Sequence, residues 1–94
     1  MSESVSQRRE ILFSGNVQGV GFRYTTQRIA AGYAVTGFVR NLRNGGVQVV
    51  AEGPAEELDG FVSTLQTRMQ RYIRCVTVDN LAARGEFSHF EIRF

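Results

Sequence analysis

The stretch Gly15-Asn16-Val17-Gln18-Gly19-Val20-Gly21-Phe22-Arg23 separates two segments with different apolar periodicity. Before it, residues 8–14 alternate, with Ile11 and Phe13 on one face of a predicted strand. After it, apolar side chains recur at roughly helical spacing, and Gly32 is expected to end this helix. The stretch therefore predicts a glycine-rich loop between the first strand and the first helix.

Four more strands are predicted further along the chain. Two of them, at residues 36–43 and 47–52, are joined by Asn44-Gly45-Gly46, and Asn-Gly is a strong hairpin signal. Another is predicted at residues 73–78, where Cys75 is expected to be a small core residue. The last is a short C-terminal strand with alternating apolar residues, namely Phe90, Ile92 and Phe94.

A second helix is predicted to open at Gly53-Pro54-Ala55-Glu56-Glu57, because proline and acidic residues suit the first helical turn. Its apolar residues recur at intervals of three and four, which is the clearest periodic signal in the chain. These residues are Leu58, Phe61, Val62, Leu65 and Met69.

The predicted order is β-α-β-β-α-β with an extra C-terminal strand, which indicates a ferredoxin-like α+β fold. In that arrangement two helices cover one face of a mostly antiparallel sheet, and the first two strands are parallel with the third between them. The glycine loop and Asn41 then follow strands that end at the same sheet edge, so both are expected to face one pocket. Residues 8–94 are expected to form a single domain, with residues 1–7 as a flexible N-terminal tail.

The composition excludes several classes of site. One cysteine among 94 residues excludes an intramolecular disulfide, and with one histidine the usual zinc sites are excluded too. All eleven basic residues are arginine, and the absence of lysine excludes a P-loop. A net charge of +2 does not indicate nucleic acid, and no apolar run predicts a membrane span. We expect a cytoplasmic monomer without metal or cofactor.

The loop itself predicts an anion site. Its three glycines allow successive N–H groups to form an anion-binding nest at the start of a helix, although a flexible connection explains them equally well. Arg23 favours the anion site, because a cation in the first helical turn is disfavoured by about 0.3–1 kcal/mol unless an anion binds. A dinucleotide site is not supported, since Tyr24 stands where its third glycine is needed.

Two segments resemble the acylphosphatase family. Residues 15–23 match its signature Gly-x-Val-Gln-Gly-Val-Gly-Phe-Arg, and Gly37-Phe38-Val39-Arg40-Asn41-Leu42 with residues 45–53 match its second block. The similarity covers about residues 8–94. The segment Gln70-Arg71-Tyr72-Ile73-Arg74 departs from it, because many members have Gly-Pro-Pro-rich residues there.

The resemblance implies hydrolysis of a small-molecule acyl phosphate to a carboxylate and inorganic phosphate. Arg23 and the loop N–H groups would bind the phosphoryl group, and Asn41 would orient the attacking water. The resemblance implies neither a metal nor a covalent enzyme intermediate. The phosphate-binding loop would consist of Gln18, Gly19, Val20, Gly21, Phe22 and Arg23.

Other interpretations of the sequence remain open. An RNA-binding RRM has the same element order, but its third strand should supply stacking aromatics, and residues 47–52 contain none. A catalytically idle anion-binding module would keep the loop. Tyr24 and Phe38 are candidates for the pocket mouth or for the core. The basic cluster of Arg68, Arg71 and Arg74 could contact an acidic partner, but a solvated helix end is the favoured interpretation.

Overall fold

The computed structural model describes residues 5–94 and contains a five-stranded sheet with two helices on one face. The element order confirms the predicted ferredoxin-like α+β fold with an additional C-terminal strand. The elements are β1 (Ser6–Gly15), α1 (Phe22–Ala30), β2 (Thr36–Asn41), β3 (Val47–Pro54), α2 (Ala55–Met69), β4 (Ile73–Ala82) and β5 (Phe90–Arg93).

The sheet has the strand order β4-β1-β3-β2-β5. β3 pairs antiparallel with both β1 and β2, so β1 and β2 are parallel and end at the same edge, as predicted. Val47 of β3 lies between Phe13 of β1 and Asn41 of β2 in the register. The two strand ends are therefore about 9–10 Å apart, twice the spacing of neighbouring strands.

The core is one cluster of buried apolar side chains between the sheet and the helices. Alternate residues of the strands contribute to it, including Ile11 and Phe13 as predicted. The predicted face of α2 is buried except for Val62, which is half-buried against the cluster. Burial of this face anchors α2 on the sheet, because an amphipathic helix gains most of its stability from such packing.

The structure corrects the boundary of the predicted tail and the end of the first helix. Ser6 and Gln7 pair with Pro54 and Gly53, so β1 begins two residues before the predicted strand, whereas residues 1–4 lie outside the described residues. α1 ends at Ala30, and Gly32 follows its cap without a positive φ.

The two central strands and β4 also differ from their predicted bounds. β2 stops at Asn41, where residues 42–46 form the hairpin turn, and β3 continues to Pro54. β4 extends to Ala82 as an edge strand. Cys75 pairs with Ser14 on the face without helices and is exposed, so its predicted place in the core is wrong. The physical reason is that neither helix covers this face.

Candidate active site

The loop between β1 and α1 points a helix start toward solvent. Gly19 and Gly21 have φ of 77° and 78°, a left-handed backbone conformation that residues other than glycine rarely adopt. Gly21 is the N-cap of α1 and provides no side-chain cap, and the first turn contains no acidic residue. Thr25 donates its N–H to the Gly21 oxygen at 3.0 Å, which leaves the three preceding helical N–H groups without an intrahelical acceptor. These donors form a site suited to an anion.

Arg23 is the second residue of α1 and is half-buried. Its Nη1 donates to the Arg93 carbonyl oxygen at 3.5 Å, and its guanidinium carbon lies 4.8 Å from the centre of the Phe94 ring. No carboxylate among residues 5–94 forms an ion pair with it. Arg23 thus keeps a cation at the positive end of a helix dipole without a neutralising partner, an arrangement that a bound anion stabilises.

A cavity of about 270 Å³ joins the loop to the end of β2. Arg23 and Asn41 both line it, and Asn41 is half-buried at the last position of β2. Within residues 5–94 the carboxamide of Asn41 has no hydrogen-bond partner, so both its donor and its acceptor are available. The cavity wall consists of Val17, Gly19, Gly21, Phe22, Arg23, Tyr24, Asn41, Ile92 and Phe94.

Gln18 has a different position from its loop neighbours. Its Nε2 donates to the carbonyl oxygens of Leu42 at 2.7 Å and Gly46 at 2.8 Å, so its amide binds the β2–β3 turn. Both acceptors belong to the turn that follows Asn41. The side chain therefore ties the anion loop to the segment that positions Asn41.

The structure brings most of the predicted site residues to one cavity. Gln18 and Val20 do not line it, because Gln18 faces the hairpin turn and Val20 packs against the core. Tyr24 does line it and is 60% exposed, whereas Phe38 lies on the opposite face of the sheet under the Arg93 guanidinium, 4.0 Å from its ring centre. The alternation of β2 predicts this result, since residues 38 and 41 occupy opposite faces.

Outside the glycine-rich stretch, two residues of the cavity were not singled out from the sequence as site residues. Ile92 and Phe94 belong to the C-terminal segment, where their alternation indicated only a strand. The parallel pairing of β5 with β2 places them next to the end of β2. No local pattern indicates this pairing, because it joins segments about fifty residues apart in the chain.

A second polar cluster lies at the other end of the sheet, around the buried Arg8. Its guanidinium binds Glu52 at 2.9 Å, Glu10 at 2.8 Å and Glu86 at 2.6 Å. Burial alone would lower the pKa of Arg8, but the hydrogen bonds to these carboxylates outweigh it and raise the pKa above its ordinary value.

Glu52 is the buried acid of this cluster. Its carboxylate also accepts hydrogen bonds from the backbone N–H groups of Arg84 and Gly85, both at 2.9 Å. These bonds fix the segment before β5 on the sheet. Burial would raise the pKa of Glu52, but the bonds from Arg84, Arg8 and Gly85 prevail and lower it. This cluster uses its hydrogen bonds internally and has no part in the cavity.

Within residues 5–94 no group of three or more histidine, cysteine, aspartate or glutamate side chains is arranged to hold a metal ion. Neither α1 nor α2 is long and apolar enough to pass through a lipid bilayer.

Comparison with known proteins identifies the family. A family model described as acylphosphatase matches residues 9–92. The chain belongs to the acylphosphatase family. The acylphosphatase of Methanospirillum hungatei is 44% identical over 89 residues, which cover 93% of this chain and 97% of that protein.

Two more acylphosphatases support this assignment. That of Syntrophotalea carbinolica is 36% identical over 88 residues, covering 93% of this chain and 96% of the relative. The crystal structure of acylphosphatase from Bacillus subtilis superimposes with a TM-score of 0.84 at 29% identity, covering 94% of this chain and 99% of the other. The similarity thus extends over nearly the whole length of both relatives.

Proposed function

We propose that the protein hydrolyses acyl phosphates, the mixed anhydrides of a carboxylic acid and phosphoric acid, to a carboxylate and inorganic phosphate. The observation that supports this most directly is the cavity between the loop and β2, where the start of α1, Arg23 and Asn41 meet. Family membership supports the same reaction, since the relatives are named acylphosphatases.

The phosphoryl group binds at the start of α1. The free N–H groups of the first turn donate to two of its oxygens, and the fork of Arg23 binds a third. The helix fixes the N–H groups, and the Arg93 carbonyl oxygen and the Phe94 ring contact the Arg23 guanidinium, so these donors are oriented before the substrate arrives. Such a site favours the transition state, because charge spreads over the equatorial oxygens as phosphorus is transferred.

The attacking water binds to Asn41. Its free carboxamide oxygen accepts a hydrogen bond from the water and holds it opposite the carboxylate leaving group, in line with phosphorus. A carboxylate is a good leaving group, so positioning and charge neutralisation suffice and the reaction uses no cofactor. The substrate's own phosphate oxygen is the proton acceptor in this scheme. A cytoplasmic location and a monomeric state stay predictions.

The assay is release of inorganic phosphate from benzoyl phosphate, with and without a chelator. We expect turnover by the folded protein in both conditions. A folded protein without turnover in either condition would be an anion-binding module, and the proposal would be wrong.

The variant Asn41→Ala tests the water-positioning step within the same assay. We expect kcat to fall by about 10²-fold, as for the loss of one positioned polar group, with little change in KM. Arg40→Ala is the matched control, because Arg40 precedes Asn41 on β2 but faces the other side of the sheet, where it binds Gln48. A near-normal kcat in Asn41→Ala would exclude the role of Asn41.

A further inference from the structure

Three exposed arginines surround the loop end of the sheet without lining the cavity. They are Arg43, Arg71 and Arg74, named here the arginine rim. Two of them belong to residues 70–74, the segment that departs from the family pattern. The proposed reaction assigns them no task.

Backbone contacts fix the rim next to the loop. Gly15 packs so closely against β4 that a Cβ there would lie 2.7 Å from the Arg74 nitrogen and 2.5 Å from the Tyr72 oxygen. The N–H of Asn16 donates to the same Tyr72 oxygen at 2.9 Å, which places the segment that contains Arg71 and Arg74 against the loop's first residues.

Arg43 belongs to the exposed turn between β2 and β3. It lies two residues after Asn41, so the two Cα atoms are at most about 7 Å apart. The intervening Leu42 accepts the Gln18 hydrogen bond, which ties the base of Arg43 to the loop. The strand order β4-β1-β3-β2 therefore places Arg71 and Arg74 on one side of the loop and Arg43 on the other.

The rim arginines are not neutralised within the described chain. No ion pair among residues 5–94 includes any of them. Several acidic side chains form ion pairs elsewhere: Glu52 and Glu86 bind Arg8, and Asp59 binds Arg9. Arg8 precedes Gly15 by seven strand residues, a separation of roughly 23 Å. The net charge of the chain is small, but the electrostatic potential at the loop end of the sheet is therefore positive.

We propose that the arginine rim makes the enzyme selective for acyl phosphates that bear a second anionic group. The inference rests on the proposed function, because the loop must first hold the phosphate. The rim lies outside the cavity and attracts the charge on the rest of the substrate. The rim therefore lowers KM and leaves kcat unchanged, since it does not touch the reacting atoms.

The expected size of the effect follows from Coulomb's law. The attraction between two opposite charges about 15 Å apart in water at ~0.01 M salt raises a binding constant by a factor of roughly 1.3. Three arginines together strengthen binding about twofold for one extra charge on the substrate, which is the selectivity. They strengthen binding of a dianionic phosphate about fivefold. At ~1 M salt, where the screening length is about 3 Å, both effects vanish.

The experiment compares benzoyl phosphate, ionised only at its phosphate, with succinyl phosphate, which has a carboxylate in addition. The enzymes are wild type and the triple variant Arg43→Gln, Arg71→Gln, Arg74→Gln, each assayed at low and high salt. Arg84→Gln is the control for loss of one exposed arginine elsewhere, because Arg84 is also exposed but lies at the Glu52 end.

At low salt we expect the triple variant to raise KM about fivefold for benzoyl phosphate and about tenfold or more for succinyl phosphate, with kcat unchanged. Arg84→Gln should change neither KM by more than about 1.5-fold. Equal KM values in wild type and triple variant at low salt would overturn the rim's role. An equal increase for both substrates would overturn the selectivity. Absence of turnover by wild type would instead refute the proposed function.

The salt dependence of the wild-type enzyme gives a second test that requires no variant. We expect the ratio of KM for succinyl phosphate to KM for benzoyl phosphate to rise about twofold between ~0.01 M and ~1 M salt. A ratio independent of salt would contradict the proposal even if the triple variant did not fold.

Discussion

Arg8 and Arg23 occupy opposite ends of the molecule and show how the same residue type serves two purposes. The guanidinium of Arg8 is buried and binds three carboxylates, so it has little remaining capacity for a ligand. Arg23 is half-buried, faces a cavity and has only one carbonyl oxygen, at 3.5 Å. The comparison shows that a saturated arginine fixes the fold, whereas an unsaturated one beside a helix start remains available to an anion.

The largest effect is expected from removal of the unsaturated arginine. We predict that Arg23→Ala lowers kcat/KM for an acyl phosphate by about 10³-fold or more, as for other arginines that stabilise phosphoryl transfer. Arg23→Lys should also be strongly impaired, because an ammonium keeps the charge but loses the fork. Steady-state phosphate release measures both variants.

The control for Arg23 is Arg40→Ala, which removes an exposed arginine paired with Gln48 on the other face of the sheet. It should change kcat/KM by less than about threefold, because Arg40 does not line the cavity. If folded Arg23→Ala stays within tenfold of wild type, Arg23 has no major role in binding the transition state.

The next effect concerns stability at the saturated end. Glu52→Gln removes a buried charge that binds Arg8 and two backbone N–H groups, so we predict a loss of about 3 kcal/mol in the free energy of unfolding. Asp79→Asn is the control. It replaces an exposed carboxylate and should change the free energy of unfolding by less than about 0.5 kcal/mol. The folded Glu52→Gln protein should retain kcat within about twofold.

The same variant has a defined pH signature. Because the folded pKa of Glu52 lies below its unfolded value of about 4.3, the charge stabilises the protein above that pH. This stability is lost as the pH falls through the folded pKa. Urea unfolding at pH 7 and near pH 3 should therefore show a smaller difference between wild type and Glu52→Gln at the lower pH. A constant difference would mean that the carboxylate charge does not stabilise the fold.

The sequence predicted the placement of the candidate site residues better than the cluster around Arg8, and the reason is distance along the chain. Arg23 and the loop glycines are neighbours in sequence, and strand order alone was enough to bring Asn41 to the same edge. In the other cluster, Arg8 binds Glu52, which is 44 positions away in the sequence, and Glu86, which is 78 positions away, and no local pattern indicates such pairs. Periodicity also failed for Cys75, because alternation does not reveal which face of β4 the helices cover.

The smallest effect in this comparison is expected at Gln18, which connects the site to its support. Gln18→Met keeps the length of the side chain but removes both donors to Leu42 and Gly46. Each acceptor retains a second, backbone hydrogen bond, so we predict a stability loss of only about 1–2 kcal/mol. We also predict a roughly tenfold loss in kcat/KM, because small misplacements of positioned groups reduce rates strongly.

The matched control is Gln48→Met, the same substitution at a glutamine that binds Arg40 away from the cavity. It should leave kcat/KM within about twofold and stability within about 1 kcal/mol. Thermal unfolding and steady-state kinetics on both variants separate the two effects. If Gln18→Met loses stability but keeps full activity, the hydrogen bonds to the turn support the fold without aligning the loop with Asn41. An activity loss in Gln18→Met alone identifies Gln18 as a positioning residue that acts through the turn.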